Sequence, residues 1–218
     1  MNYQFTANGP IGQIYSAEIQ LIAGSVDGIT WFDSVTLPRT AYKHYGREGA
    51  MIYAQIWWNG YNDTFYNFDS ILNNSDCANF VSQYMREGSG VPEKFTTDSG
   101  SYDSWYYVDF NNRSGSWAGS QSLHLYVKNN TVGYPRLPAT FLADSEVSQL
   151  QKGDLVFALS NDGASKPQRT AYHVAIVSHI EGNSVFVYAH SDPKNDQLWA
   201  ASLADTILCK FSDYVELG

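Results

Sequence analysis

The stretch YHVAIVSHIEGNSVFVYAHS, residues 172–191, constrains the fold more than any other part of the chain. Two runs of β-branched and aromatic residues flank Glu181-Gly182-Asn183-Ser184, the pattern of an antiparallel hairpin whose turn uses the left-handed backbone open to Gly and Asn. With the turn centred on Gly182-Asn183, Ile180 faces Val185 and Ala175 faces His190. In that register His173, Ala175 and Val177 share a face with His190 and Asp192. His190 then lies diagonal to His173, about 7–8 Å away between backbones, and Asp192 lies directly opposite. A slip of one residue moves His190 to the other face. KGDLVFAL, after a Gly-Asp turn, and TILCKF supply further strands.

Upstream, the period changes. From about Thr40 to Trp58 the residues Tyr42, Tyr45, Ala50, Tyr53, Ala54 and Trp57 recur every three or four positions, which predicts a helix stopped by Asn59-Gly60. A second helix begins within NNSDCANFVSQYMREG, residues 73–88. Its apolar face combines Cys77, Phe80, Val81, Tyr84 and Met85, and Gly88 closes it. Residues 89 to about 148 read as loops with one short helix near Ser120–Lys128. At the N-terminus, QIYSAEIQLIAG alternates with period two, AGSVDG turns the chain, and ITWFDSVTLP runs to Pro38. The expected organisation is a β-hairpin extension over 1–38 and one domain over 39–218. The expected class is α+β, a cysteine-bearing helix packed on an antiparallel sheet.

A chain of 218 residues can bury such a core without disulfide or metal staples. Only Cys77 and Cys209 are available, too few for a disulfide framework, and a bond between them would silence Cys77. No spacing suits zinc, so neither metal nor other cofactor is expected. With 13 basic against 22 acidic residues, a net charge of −9 and no basic run, nucleic acid is excluded as a partner. No apolar stretch approaches the ~20 residues of a membrane span. Aromatic residues make up 15% and charged residues 16%, a mixture suited to extracellular conditions or glycan. A secreted or wall-associated location is expected on that ground. No leader is visible after Met1, so a cytoplasmic location stays open.

Cys77 sits where helix N–H groups lack partners and favour a thiolate, with Asp76 or Ser75 as the capping residue. Most cysteines in such places are packed and inert, so the thiol needs a base. His173 can serve as that base and His190 as its orienter, since a cysteine nucleophile requires an imidazole held by a polar group. If His190 faces away, Asp192 or Asn195 takes its place. His44 and His179 lack partners, His124 lies in the loop-rich segment, Asp154 shapes a turn, and Cys209 is core. Trp105 and Trp117 form either a stacking platform or part of the core.

DCANFVSQ, followed in order by GDLVF, HVAIV and YAHS, and preceded by YGREGAMIYA, resembles the putative amidase domain family, a branch of the NlpC-type and CHAP cysteine hydrolases. The upstream likeness rests on Tyr45, Arg47, Ala50, Tyr53 and Ala54. The match runs from about residue 40 to the C-terminus and leaves 1–38 outside. Ala78 stands where relatives often carry Thr or Ser. The resemblance implies a papain-like fold with Cys77 as nucleophile, His173 as base and His190 in the third position. It implies a cysteine amidase or peptidase that cuts an amide bond in a cell-wall peptide or glycopeptide through a thioester. The Cys77 N–H, with Tyr66 as a side-chain donor, would hold the oxyanion, and Trp105 and Trp117 would line the substrate. Two alternatives stay open: a catalytically weak glycan- or wall-binding module, and an acyltransferase using the same residues.

Overall fold

A computed structural model describes residues 41–71, 75–96, 102–131, 133–161 and 165–218. The hairpin expected over 1–38 lies outside the described residues. In chain order the elements are β1 (Tyr42–His44), α1 (Arg47–Trp57), α2 (Cys77–Gln83), β2 (Tyr107–Asp109), β3 (Asn112–Arg113), α3 (Gly115–Ala118) and α4 (Ser120–Asn129). There follow β4 (Ala139–Leu142), β5 (Leu155–Leu159), β6 (Ala171–Glu181), β7 (Ser184–Ala189), β8 (Lys194–Leu198), β9 (Thr206–Phe211) and β10 (Tyr214–Glu216). The class is α+β with antiparallel sheets. Among the described residues no helix is long and apolar enough to cross a membrane.

The main sheet runs β4-β9-β5-β6-β7-β8, every neighbour antiparallel. Alternation divides its side chains between two cores. Leu155, Phe157, Val174, Ile176 and Tyr188 meet the helices, with Phe80 and Val81 of α2 among them. Val156, Ala158, Ala175, Val177 and Val187 face the other way, against Val147, Leu150 and Trp199. All seven residues of α2 are buried, so the cysteine helix is the centre of the helical layer rather than an amphipathic cover. The helix expected from Thr40 starts later, because Tyr42–His44 pair with β10 as a strand. Arg47 then ties the start of α1 to the sheet. It donates to the buried Asp154 carboxylate at 2.8 Å, to Phe211 O at 2.8 Å and to Lys152 O at 2.9 Å. Burial raises the Asp154 pKa even against the guanidinium beside it.

The β6–β7 turn falls on Gly182-Asn183 as expected, with Glu181 opposite Ser184 and Ile180 opposite Val185. Between Val177 and His179 the register then shifts, so Val177 faces Val187 and Ile176 faces Tyr188. Ser178 is the extra residue of a β-bulge. Its consequence corrects the expected arrangement: His190 follows Tyr188 onto the helix-bearing face and no longer shares a face with Ala175, while His173 at the strand start stacks on Trp199. A second shift on the β5–β6 side, where Ala158 faces His173 but Leu159 faces Ala171, pushes Tyr172 out to 62% exposure.

Helix α1 crosses the π-helical turn Tyr84–Gly88 that extends α2, and two glycines permit the contact. A Cβ on Gly88 would lie 2.8 Å from the Ala50 Cα, and one on Gly49 would lie 2.4 Å from the Gly88 carbonyl oxygen. Gly88→Ala is therefore expected to destabilise the protein by about 1–3 kcal/mol through overpacking. Gly60→Ala, whose Cβ meets nothing closer than 3.7 Å, should change it little. Urea midpoints of both variants check this.

Candidate active site

Cys77 is the first residue of α2 and is 2% exposed. Its Sγ lies 3.1 Å from the Ser120 hydroxyl, at the start of α4, and receives the Ser75 hydroxyl at 3.2 Å. Burial pushes the thiol up. Hydrogen bonding and charge from His173, with the Ser120 and Ser75 hydroxyls, outweigh that and bring its pKa from 9.0 down to about 7. A shift of that size makes roughly half of the thiol ionised at neutral pH rather than about one part in a hundred. Cys209, in the core of β9, is driven well above its ordinary value by burial.

Asp76 does not cap α2 with its side chain. It is fully buried, and its Oδ1 accepts from Phe68 N and from Asn79 Nδ2, each at 2.9 Å. Its Oδ2 lies 2.8 Å from His190 Nδ1. The other ring nitrogen, Nε2, lies 2.6 Å from the Trp57 carbonyl oxygen at the end of α1. A carbonyl can only accept, so Nε2 carries a proton. Nδ1 and Asp76 Oδ2 share the second hydrogen bond. Phe80 stacks on the ring at 3.9 Å and 8°, and Tyr61 meets it edge-on at 5.3 Å. Both nitrogens are thus committed away from His173, which corrects the orienter expectation. Removing either partner leaves the other buried without its hydrogen bond. His190→Ala and Asp76→Ala should each cost about 3–5 kcal/mol, and the double variant clearly less than their sum. Denaturant unfolding of the three variants measures this.

His173 is held by stacking instead. Its ring lies parallel to the Trp199 indole, 5.8 Å and 7° apart, and Trp199 is itself fixed by Nε1 donating to Thr206 Oγ1 at 2.9 Å. An open cleft of about 350 Å³ runs beside it, bordered by Ser75, Tyr172, His173, Ser191, Asp192 and Trp199. Asp192 is turned to Lys194 at 2.9 Å, with its side chain 70% exposed. Asn195 is exposed on β8. Among the described residues, neither bonds His173.

Ser191 closes the arrangement. At φ 65° it occupies the left-handed region, a strained place for a serine. Its hydroxyl accepts from Asp76 N at 2.6 Å, donates to Asp69 Oδ1 at 2.6 Å and lies 3.1 Å from the Ser75 hydroxyl. Ser75 had a signal as a candidate cap. Ser120, Ser191, Asp69 and Trp199 had none that separated them from surface polarity or core.

The remaining expected residues lie elsewhere. Trp105 and Trp117 are fully buried, donating through Nε1 to Ser82 Oγ and to Asn79 Oδ1, so they are core and not a platform. Tyr66 packs against Phe68 and Phe110, and none of its contacts reaches the thiol. Burial, then Lys128, pulls the His124 pKa to about 4, leaving a neutral core imidazole. Among the described residues no cluster of His, Cys, Asp and Glu could hold a metal ion.

Fold and site together define an α+β protein in which an acidified thiol and an imidazole meet beside an open cleft. The family model described as "Putative amidase domain" matches residues 44–211, and the chain belongs to that family. An uncharacterized protein of Bacillus subtilis (strain 168), YhbB, is 28% identical over 157 residues. That alignment covers 72% of this chain and 44% of YhbB, so the chain spans under half the length of this relative. No solved structure matches the chain.

The lowered thiol pKa gives a direct measurement. Alkylation of Cys77 by iodoacetamide should rise with pH through a midpoint near 7, while Cys209 stays unmodified in the folded protein. In His173→Ala the midpoint should move upward, because burial then acts with less opposition.

Proposed function

We propose that the protein is a cysteine amidase or peptidase in which Cys77 is the nucleophile and His173 the general base. The observation that carries this reading is the thiol brought to about 7 by an imidazole next to a cleft. The Cys77 thiolate attacks the amide carbonyl, and the charge on the oxygen is met by the Cys77 N–H with a hydroxyl of Ser120 or Ser75. His173, protonated, gives its proton to the leaving amine. Water, activated by the neutral imidazole, then splits the thioester and releases a carboxylic acid. Trp199, rather than a polar third residue, keeps the imidazole plane fixed through both transfers.

A papain-like arrangement within the NlpC-type and CHAP hydrolases fits the order of parts, nucleophile helix first and base on a central strand afterwards. The substrate class that goes with it is a cell-wall peptide or glycopeptide, met outside the cell. Trp105 and Trp117, being buried, do not line the substrate in this reading. Acyl transfer uses the same steps up to the thioester, with an amine in place of water.

Digestion of purified peptidoglycan, followed by mass analysis, tests this reading. Native protein should release fragments that each carry a new amine or a new carboxylate. Cys77→Ala and His173→Ala should each abolish release, and the double variant should be no worse than either. Release by Cys77→Ala would overturn the mechanism, and new amide linkages in place of carboxylates would mark a transferase.

A further inference from the structure

We propose that a second hollow, lined by the residue before Ser120, is a subsite for a carboxylate of the substrate, held by Arg113. This rests on the amide-hydrolase reading and names a feature that the substrate should carry. The hollow, about 360 Å³, is lined by Phe68, Arg113, Ser114, Gly115, Ala118 and Gly119. Two of these residues tie it to the thiol. Gly119 precedes Ser120, whose hydroxyl lies 3.1 Å from Sγ, and the Phe68 N–H donates to Asp76, the neighbour of Cys77. The cleft at His173 reaches the thiol through Ser75. Two hollows are therefore linked to Cys77 through different neighbouring residues, Ser75 on one side and Ser120 on the other, as the two sides of a scissile amide require.

Arg113 ends β3, and its guanidinium carbon lies 4.6 Å from the Phe68 ring centre and 4.9 Å from that of Phe110. The two rings fix the plane of the group, a cation–π arrangement that leaves its N–H edge free to bond. Among the described residues, Arg113 has neither a carboxylate partner nor a hydrogen-bond acceptor. In a chain with 22 acidic residues that is unusual. Arg47, Arg86, Arg136 and Arg169 all hold carboxylates. A planar, immobilised guanidinium has the geometry to take a carboxylate through two parallel bonds. Since half-burial has already removed part of its water, a partner costs less to bind than at a free surface arginine. The substrate should therefore bear an acidic residue near the bond that is cut.

Matched tetrapeptides with Glu or Gln at each position around a cleavable amide test the proposal. Native enzyme should show a KM roughly tenfold lower for one Glu peptide than for its Gln twin, the size of one charge-assisted hydrogen bond. Arg113→Gln should erase that difference, chiefly by raising the KM of the Glu peptide. Gly115→Asp supplies a second variant, because a Cβ there meets only Ser122 Oγ, at 3.8 Å, and its carboxylate would occupy Arg113. Calorimetry on Cys77→Ala, with and without Arg113→Gln, reads the same preference without turnover. Cleavage with no Glu preference, or a preference that survives both variants, overturns the subsite and leaves amide hydrolysis standing. Arg113-dependent binding of Glu peptides without any cleavage supports the subsite and overturns the hydrolase reading. Neither binding preference nor cleavage overturns both.

Discussion

The pair between Asp76 and His190 holds the start of α2, and Cys77 with it, in place. Both side chains are buried, at 0% and 4% exposure, and each finds further hydrogen-bond partners that repay lost water. Asp76 gathers Phe68 N and Asn79 Nδ2, and Asn79 is in turn fixed by the Trp117 indole at 2.7 Å. His190 donates through Nε2–H to the last carbonyl of α1. One side chain thereby joins the end of α1, the start of α2 and the end of β7. The position of Cys77 follows, since it is the residue after Asp76 and has little freedom of its own.

Such a pair contributes little net stability compared with apolar side chains of the same shape. What it supplies is geometry. The loop after β7 is drawn against the loop before α2, and Ser191 accepts a left-handed backbone so that its hydroxyl can bond both Asp76 N and Asp69. The same loop carries Asp192 to the rim of the cleft. Strain at Ser191 is held because the surrounding bonds determine it several times over.

Much of this was legible in local pattern. The hairpin turn, the strands KGDLVFAL and TILCKF, the helix at Ser120 and the placement of Cys77 at a helix start all follow from periods and stop signals a few residues long. Residues Tyr42–His44 escaped that logic because their partner strand lies at the far end of the chain. Trp199, Ser120 and Asp69 escaped for the same reason: their roles come from tertiary contacts, and nothing beside them in sequence announces the contact. The bulge at Ser178 escaped because one extra residue leaves the apolar alternation on either side intact. Pattern reports which residues face together within a strand, but an insertion between two good runs is nearly silent.

That one residue separates the roles of the two histidines. In an unbulged hairpin they would share a face. The shift instead sends His190 to Asp76, 2.8 Å from its carboxylate, and to the carbonyl at the end of α1. His173 is left as the imidazole that lowers the Cys77 pKa. One inserted residue thus gives one histidine to the scaffold that holds the start of α2 and the other to the thiol.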